Sequence, residues 1–364
     1  MQKVQEGMEG KNSGLSSGLK KLDSCTNSIQ KESIDVWGGR PKSNKTTIVD
    51  YRYILSVYYP GITNIRWIYL SYEISIDQKI AKFVAYFMKK KHNIRCSASY
   101  ILSKGTNRLS EAHKTLVDNI YENEIKELFG EFDEMGRQTK EGLIIFIEQR
   151  ENPTGIRNYL MRYAETTGQF IKEKYKVFID GTQVTKQKIV GYRQTNEDLH
   201  TIILLDHVGK IPGERGFTKK ENIDKLSEYA VELRNMCKWT FVFVSQFNRG
   251  LGAIDRLKFS GNDLEPTIED FKDTGNLAED ANLVFVIFNP SEYNHLAGEE
   301  YNGYKLNILG KHFRSIKLLL SRDTDSNIAL GVVVNGGNGD ARELPNPTTE
   351  KHELQQIYNT FQKS

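Results

Sequence analysis

Cysteine is scarce in this chain of 364 residues, which has only Cys25, Cys96 and Cys237. No two of them have the short spacing of paired zinc ligands, so the sequence excludes a zinc site built on cysteine pairs. Their small number and wide separation are instead typical of reduced, structural thiols in a cytoplasmic protein.

Long apolar runs are also missing, and no segment has the character of a signal peptide, so we expect no membrane span. The excess of charge is small as well. A net charge of +3 does not by itself indicate a nucleic-acid partner, and any basic surface has to be local. The chain does contain 17 Phe, 18 Tyr and 38% apolar residues, which is enough for a sizeable core. Its length fits two domains or one large α/β domain with insertions.

The chain is organised around residues 34–47, where a short apolar run meets a glycine pair, a polar loop and then Lys45-Thr46. The residues that follow have the apolar spacing of a helix. Strand, tight loop and helix form the setting of a phosphate-binding loop. There, backbone N–H groups and a helix N-terminus hold phosphates, a lysine reaches the outer phosphates and a hydroxyl holds Mg²⁺. Taken alone, the stretch also fits a plain polar loop that leads into a helix.

The pattern from Gly39 to Thr46 is G-x-x-x-x-N-K-T, so Asn44 stands where the usual motif has its second glycine. Asparagine tolerates left-handed backbone angles better than most residues, and we therefore expect the loop to close. The predicted nucleotide-binding residues are Gly39, Arg40, Pro41, Lys42, Ser43, Asn44, Lys45, Thr46 and Thr47.

Three later apolar runs, each predicted to be a strand, lead to Glu73, Asp206 and Gln246. Because ligands of open α/β sheets sit at the carboxyl ends of strands, we expect these side chains beside the phosphate loop. Glu73 would orient or deprotonate the attacking water. Asp206 would hold Mg²⁺ together with the hydroxyl of the loop, and Gln246 would sense the γ-phosphate. The alternatives are an exposed loop glutamate for Glu73 and a capping aspartate for Asp206.

Outside these motifs, residues 1–33 are polar and rich in glycine and serine, which predicts a mobile arm. Within it, Leu15, Leu19 and Leu22 are spaced so that they can dock on another surface. The α/β domain is predicted to span residues 34–344, with helical cover at 104–141 and a C-terminal helix at 345–364 that docks on this domain or on a neighbour.

Residues 174–200 interrupt the alternation of helices and strands and are predicted to form an inserted β-hairpin with an Asp180-Gly181 turn. The insertion is basic because it contains Lys174, Lys176, Lys186, Lys188 and Arg193. Two interpretations of this insertion are compatible with the sequence, a contact with nucleic acid and a solvated, protruding hairpin. Composition alone favours the second.

In their order, these motifs resemble the ATPase domain of DnaB-like replicative helicases, a hexameric branch of the RecA-like P-loop ATPases. The resemblance runs from about residue 14 to residue 335. Its most specific parts are Val244-Ser-Gln-Phe-Asn-Arg249 and Asp270-Phe-Lys-Asp-Thr-Gly-Asn-Leu-Ala-Glu-Asp-Ala281. It implies an α/β fold with a RecA-like P-loop ATPase core, in which helices flank a mostly parallel central sheet and the β-hairpin is inserted.

The resemblance also implies roles for single residues. Lys45 would bind the β- and γ-phosphates of ATP, Thr46 and Asp206 would hold Mg²⁺, Glu73 would be the catalytic base, and Gln246 would sense the γ-phosphate. The residues implied to grip single-stranded DNA are Arg249, Lys272, Asp273 and Gly275.

Two departures from the family affect the expected rate. Asn44 replaces a glycine of the phosphate loop, which would slow turnover. The family ends a late strand with Lys-x-Arg, whose arginine enters the neighbouring subunit's site. Here Arg322 stands at the lysine position and Thr324 at the arginine position. Either Arg322 alone serves as the catalytic cation in trans, or hydrolysis is weak.

The resemblance further implies single-stranded DNA at a replication fork, a homo-hexamer, and a primase or loader as partners. The setting would be the cytoplasm of a bacterium or of a phage-infected cell. Three functions stay open from the sequence. They are an ATP-driven helicase, a RecA-like recombination or regulatory ATPase without strand separation, and a non-catalytic DNA-binding or loader-type module.

Overall fold

The computed structural model describes residues 2–9, 12–106, 108–133, 138–180, 182–247, 265–293 and 300–362; of residues 2, 3, 6, 179 and 272–275 it describes the backbone alone. The strands are β1 (Ile34–Gly39), β2 (Ile65–Ser71), β3 (Gly130–Phe132), β4 (Gln138–Glu141), β5 (Ile144–Ile147), β6 (Gly168–Ile179), β7 (Thr182–Gln194), β8 (His200–Asp206), β9 (Thr240–Gln246), β10 (Leu283–Phe288), β11 (Glu300–Tyr301), β12 (Tyr304–Lys305), β13 (Phe313–Ser321), β14 (Ile328–Asn335) and β15 (Asp340–Glu343).

The helices are α1 (Gln2–Met8), α2 (Lys20–Thr26), α3 (Lys45–Asp50), α4 (Ser56–Tyr58), α5 (Ile76–His92), α6 (Ala98–Ile101), α7 (Glu111–Ile120), α8 (Lys126–Phe129), α9 (Pro153–Thr167), α10 (Lys219–Cys237), α11 (Gly275–Asp280), α12 (Leu306–Leu309) and α13 (Lys351–Gln362). A π-helical turn, Tyr51–Leu55, joins α3 to α4, so the helix after the phosphate loop continues to residue 58. None of the described helices combines the length and the apolar character that crossing a bilayer requires.

In the described part of the chain, the central sheet has nine strands in the order β15-β14-β13-β10-β1-β9-β8-β2-β5. The six strands from β10 to β5 are parallel, and β13, β14 and β15 are added antiparallel at one side. Every residue of β1, β8 and β10 is buried, as expected for strands that are covered on both faces. The predicted mostly parallel sheet flanked by helices is confirmed.

The helix after the phosphate loop is fixed to β1 by buried polar contacts. The indole Nε1 of Trp37 donates a hydrogen bond to the hydroxyl of Tyr53 over 3.0 Å. That hydroxyl donates to Asp35 Oδ2 over 2.6 Å. On the same face of β1, Trp37 stacks on Phe285 with ring centroids 4.1 Å apart. Since Asp35 and Trp37 share one face of the strand, their contacts set the position of this helix relative to the loop.

The prediction of a mobile arm at residues 1–33 is wrong for its second half. Leu19, Leu22 and Ile29 are at most 1% exposed and belong to the core. Arg52, which is fully buried, donates hydrogen bonds to Ser17 Oγ and Thr26 Oγ1, each over 3.1 Å. A buried guanidinium needs polar partners, and this segment supplies them. The docking that the leucine spacing predicts is thereby confirmed.

Two other boundaries differ from the predicted ones. Residues 130–141, predicted as helical cover, contain the strand pair β3–β4, in which Gly130 takes a φ of +83° that glycine adopts without strain. The hairpin, predicted over 174–200, spans Gly168 to Gln194, because α9 ends at Thr167 and β6 and β7 pair over their full length. Strand β15 was not predicted. The C-terminal helix docks as expected, burying Leu354, Ile357 and Tyr358.

Truncation of a buried leucine tests whether segment 15–33 is part of the folded domain. Leu22→Ala should lower the free energy of unfolding by about 2–5 kcal/mol, since it removes fully buried methyl groups. Lys20→Ala, at an exposed position of the same helix, should change it by less than about 0.5 kcal/mol. Urea denaturation measures both, and equal effects would mean that the segment does not support the core.

Acid should destabilise the fold through His200, which is 4% exposed. Burial lowers the pKa of His200 to about 3. The hydroxyl of Thr240 gives its single proton to the carbonyl oxygen of Gln30, so His200 Nε2 is the donor in its 2.7 Å contact with that hydroxyl, and the ring is neutral.

The unfolded chain takes up a proton at His200 below its ordinary pKa of about 6.5, whereas the folded chain does not until about 3. The stabilisation is therefore complete above pH ~6.5 and is lost as the pH falls, by up to about 1.4 kcal/mol per pH unit. His200→Gln should reduce the pH dependence of the free energy of unfolding by close to one proton near pH ~5, as measured by urea denaturation across pH. An unchanged pH dependence would contradict this assignment.

Candidate nucleotide site

The phosphate-loop sequence forms a tight turn between β1 and α3. At Gly39, a Cβ atom would lie 2.7 Å from Ser43 Oγ and 2.8 Å from the carbonyl oxygen of Ile287, so the position accepts only glycine. Lys42 and Asn44 have φ angles of +64° and +68°. Asn44 therefore adopts the left-handed conformation that the usual glycine supplies, and the expectation that the loop closes with asparagine is confirmed.

Asn44 is held by an arginine that the sequence analysis did not single out. Arg314, in β13, donates a hydrogen bond to Asn44 Oδ1 over 2.5 Å and another to the carbonyl oxygen of Ser43 over 3.1 Å. Gly336 leaves the space in which the amide of Asn44 lies, because a Cβ there would be 2.5 Å from Nδ2. Burial lowers the pKa of Arg314 to about 10. An antiparallel strand of the sheet, β13, therefore helps to fix the conformation of the phosphate loop.

Lys45 lies inside the turn as a half-buried cation. Its ammonium group donates to the carbonyl oxygens of Gly39 and Arg40, over 2.8 Å and 2.7 Å. Burial lowers the pKa of Lys45 to about 8, an effect that the negative charges of Asp206, Glu73 and Glu292 partly oppose. Lys45 is therefore a desolvated cation at the point where the turn can enclose an anion.

Thr46 and Asp206 meet at the carboxyl end of β8. The threonine hydroxyl donates to Asp206 Oδ2 over 2.6 Å. Asp206 is 2% exposed, and burial raises the pKa of its carboxyl, which the nearby charge of Lys79 opposes. Its other oxygen, Oδ1, is buried and has no hydrogen-bond partner among the described residues.

This donor set fits Mg²⁺, which usually takes one or two carboxylates and completes its shell with water and substrate phosphates. The unpaired Oδ1 of Asp206 and the adjacent hydroxyl of Thr46 are the oxygen ligands available here. Over the described ranges, no cluster of three His, Cys, Asp or Glu side chains could hold a metal by itself. A cation at this position would therefore be shared with a bound phosphate.

Helix α5 supplies two further cations that the sequence analysis missed. Lys79 forms a buried ion pair with Asp50 at 2.8 Å and also donates to the hydroxyl of Tyr69 over 2.8 Å. Lys82 donates to Thr47 Oγ1 over 2.9 Å, and burial lowers the pKa of Lys82. Both lysines occur in an amphipathic helix, where a charged residue is ordinarily solvated, so the sequence carried no signal for their burial.

Glu73 lies at the open side of the site, opposite His207. His207 Nδ1 accepts a hydrogen bond from the backbone N–H of Gly209 over 3.1 Å. Burial lowers the pKa of His207 to about 4, so at neutral pH the ring carries its proton on Nε2. Nε2 lies 3.9 Å from Glu73 Oε2, and the Glu73 side chain is 54% exposed. The fixed tautomer therefore directs an N–H group towards the carboxylate.

Gln246, at the end of β9, lies beside the phosphate loop because it is paired in register with Gly39. The next residue, Phe247, donates its backbone N–H to the carbonyl oxygen of Gly39 over 3.2 Å. The structure thus brings Lys45, Thr46, Glu73, Asp206 and Gln246 to one edge of the sheet, as the strand ends predicted.

Arg322 does not lie in this pocket. It follows β13, whose Ser321 pairs with Leu283 at the amino end of β10, and so it lies at the opposite edge of the sheet. Its guanidinium donates to the carbonyl oxygens of Ala281 and Glu279, over 2.9 Å and 2.6 Å. Thr324, at the position of the family's arginine, donates its hydroxyl to the carbonyl oxygen of Cys25 over 2.5 Å.

Of the predicted DNA-binding residues, Arg249 lies outside the described residues, as do the side chains of Lys272 and Asp273; Gly275 begins α11. The structure does describe Phe271, which immediately precedes Lys272. Phe271 is 2% exposed and packs edge-on against Phe247, with ring centroids 4.9 Å apart. Both rings fill the space beside Gly38, where a Cβ would be 2.3 Å from the Phe271 ring. The segment is therefore anchored next to the phosphate loop.

Substitution at Asn44 tests how the loop is held. Asn44→Gly keeps the left-handed backbone but removes the acceptor of a buried guanidinium, and should cost about 1.5–3 kcal/mol of unfolding free energy. Asn44→Ala should cost about 1–2 kcal/mol more, because alanine is strained at positive φ. Urea denaturation measures both.

The matched control is Lys42→Gly, in the same loop and also at positive φ, where the side chain is exposed. It should be neutral or slightly stabilising. If Asn44→Gly is as mild as this control, the contact with Arg314 does not hold the loop.

No family model matches this chain, and no curated protein does. Among solved structures, it is similar to the isolated ATPase domain of one DnaB-like helicase, with a TM-score of 0.65 and 14% identity over 94% of this chain and 96% of that chain. It is also similar to a DnaB-like replicative helicase whose interactions with primase have been described, with a TM-score of 0.64 and 14% identity over 94% of this chain and 67% of that chain. The protein therefore has the RecA-like P-loop ATPase fold of the DnaB-like replicative helicase ATPase domains.

Proposed function

We propose that this protein is an ATP-hydrolysing DNA helicase or translocase of the DnaB type. The observation that carries the proposal is the hydrogen bond between Thr46 and Asp206 at the mouth of a turn that contains the half-buried cation Lys45. On this fold, such an arrangement is the one that holds a nucleoside triphosphate with Mg²⁺.

In the proposed reaction, Lys45 binds the β- and γ-phosphates and offsets their charge. Thr46 and Asp206 hold Mg²⁺, which supplies positive charge to the phosphate oxygens when it is bound. Glu73 accepts a proton from the attacking water, a role that suits a carboxylate half exposed at the rim of the site. His207 acts as a positioning residue, since its Nε2–H faces Glu73.

Gln246 is proposed to couple nucleotide state to DNA binding. It is followed by Phe247, which contacts Phe271, and Phe271 immediately precedes Lys272. A shift of Gln246 towards or away from a γ-phosphate would therefore move a packed aromatic pair at the root of the proposed DNA-gripping segment. Arg249, Lys272, Asp273 and Gly275 are the residues proposed to hold the strand there.

A ring of identical subunits, taken here as a hexamer, is proposed because Arg322 lies at the edge of the sheet opposite its own phosphate loop. It can act on a nucleotide only if a neighbouring copy presents one. A primase or loader, and action at a replication fork in the cytoplasm of a bacterium or phage-infected cell, complete the proposal. The similar helicase of known structure is described with primase.

A RecA-like recombination or regulatory ATPase is the second candidate, and one observation favours it. The position of the family's catalytic arginine is taken by Thr324, whose hydroxyl is committed to the carbonyl oxygen of Cys25. An arginine finger is worth about 10³–10⁵ in rate, so its replacement favours slow hydrolysis. This candidate predicts ATP hydrolysis without strand displacement.

Lys45→Ala should abolish single-strand-stimulated ATP hydrolysis and strand displacement, because the phosphates lose the cation that lies inside the turn. Glu73→Gln should retain ATP binding but lower hydrolysis by about 10²-fold or more, since only the proton acceptor is lost. A coupled ATPase assay, a fluorescent-nucleotide titration and a forked-duplex displacement assay measure the three properties.

Asp77→Asn is the matched control for Glu73→Gln, because it removes a carboxylate from an exposed position four residues further along the chain. It should leave all three properties unchanged. Displacement that survives Lys45→Ala would contradict the helicase mechanism. Wild-type protein that hydrolyses ATP without displacing a strand would favour the second candidate, and protein that binds no ATP would favour a non-catalytic DNA-binding or loader-type module.

A further inference from the structure

The β6–β7 hairpin is firmly rooted in the domain. The hydroxyl of Tyr192 donates to the carbonyl oxygen of Ala164 over 3.1 Å and lies 2.9 Å from Thr167 Oγ1. The Tyr192 ring packs between Phe170 and Trp239, with centroid distances of 5.5 Å and 6.4 Å. The base of the hairpin is therefore packed against the core beside α9 and α10.

Beyond this root the hairpin projects into solvent. The two strands pair without interruption from Lys172–Ile189 to Ile179–Thr182, a length of about 25 Å at ~3.4 Å per residue. The described side chains of this part are exposed, except for the half-buried Val177. Phe178, near the turn, is 74% exposed. Exposure of an aromatic ring and several aliphatic side chains on a protruding ribbon is costly unless a partner covers them.

The two faces of the hairpin differ in charge. Side chains alternate between faces, and directly paired residues share one. Lys172, Lys174 and Lys176 therefore lie in a row on one face, here called the lysine face. Their partners across the hairpin are Ile189, Gln187 and Thr185, and Phe178 with Gln183 continues the face to the turn. The lysine face has three positive charges and no carboxylate.

The other face is mixed. Glu173 lies directly opposite Lys188, and Tyr175 lies opposite Lys186. Lys186, Lys188 and Glu173 give this face a net charge of +1, whereas the lysine face has a net charge of +3. Among the described residues, no ion pair includes Lys172, Lys174 or Lys176.

The spacing of the lysine face matches a nucleic-acid backbone. Alternate residues of a strand are about 6.8 Å apart. Phosphates of one DNA strand advance by about 3.4 Å along the helix axis, and neighbouring ones lie further apart through space because they also rotate about that axis. A row of three ammonium groups on flexible side chains can therefore follow the phosphates of one strand. A two-stranded ribbon also fits the major groove of a duplex, and an exposed ring such as Phe178 can stack on an unpaired base.

We propose that the lysine face of the β6–β7 hairpin is a DNA-binding surface that contacts the phosphate backbone, separate from the nucleotide site. The hairpin leaves the domain next to the start of β8, at the edge of the sheet opposite the phosphate loop. The surface holds DNA outside the nucleotide pocket. It requires neither ATP nor hydrolysis, so it does not rest on the proposed helicase activity.

The test compares two double variants of the full chain that remove equal charge from opposite faces. Lys174→Gln/Lys176→Gln alters the lysine face, and Lys186→Gln/Lys188→Gln alters the other. Both sets of positions are exposed, so neither should affect folding. Fluorescence anisotropy without nucleotide measures binding of a labelled oligothymidine strand and of a mixed-sequence duplex across a series of salt concentrations.

The lysine-face variant should bind more weakly by about tenfold per lost phosphate contact near ~0.1 M salt, and its slope of log K against log salt should fall by about 2. The opposite-face variant should lose less than half as much. The probe with the larger loss identifies whether the surface holds single or double strands. The same difference is expected in a Lys45→Ala background, so failure here and failure of the ATPase proposal are distinguishable.

Equal losses for the two variants would overturn the proposal, because net charge and not the lysine face would then set the affinity. Unchanged DNA binding in both variants would overturn it as well. If the lysine-face variant instead alters the oligomeric state in sedimentation, with DNA affinity unchanged, the hairpin is a contact between copies of the chain and the proposal is wrong.

Discussion

The hydrogen bond between Thr46 and Asp206 is the contact on which the rest of the site depends. A carboxylate that is 2% exposed is costly to ionise, and here burial does raise its pKa. The charge of Lys79 and the hydroxyl of Thr46 are the main opposing influences. They come from different elements, α5 and α3, which meet only because β8 lies between β2 and β9 in a parallel sheet. The strand order therefore brings to Asp206 the groups that favour its ionised form.

The site residues at the strand ends could be predicted from the sequence, because parallel strands place their carboxyl ends at the same edge of a sheet. Glu73, Asp206 and Gln246 each follow an apolar run, and register alone brings them to one edge. The left-handed backbone conformation of Asn44 could also be predicted, since the tolerance for positive φ is a property of asparagine itself.

Contacts between residues that are far apart in the sequence could not be predicted from it. Arg314 lies 270 positions from Asn44, and nothing in the short sequence around either residue connects them. Lys79 and Lys82 look like the polar side of an amphipathic helix, and only the packing of α5 beside α3 buries them. Residues 15–33 were assigned to an arm because their composition is polar, although the buried guanidinium of Arg52 requires those polar groups as partners.

The two edges of the sheet contain different groups of residues. The carboxyl edge of the parallel strands contains the phosphate loop and its acids. The other edge contains the base of the β6–β7 hairpin and the tip of the β13–β14 hairpin with Arg322. The residues of the candidate nucleotide site are thus separated, by the length of the strands, from the hairpin base and from Arg322.

Segment 15–33 lies between these two edges. Arg52, in the helix behind the phosphate loop, bonds to Thr26, and the adjacent Cys25 accepts a hydrogen bond from Thr324 at the tip of the β13–β14 hairpin. Because Cys25 and Thr26 are adjacent, one turn of this segment contacts both the helix behind the phosphate loop and the tip of the β13–β14 hairpin. A ligand that displaces the helix would therefore also act on the position of the tip beside Arg322.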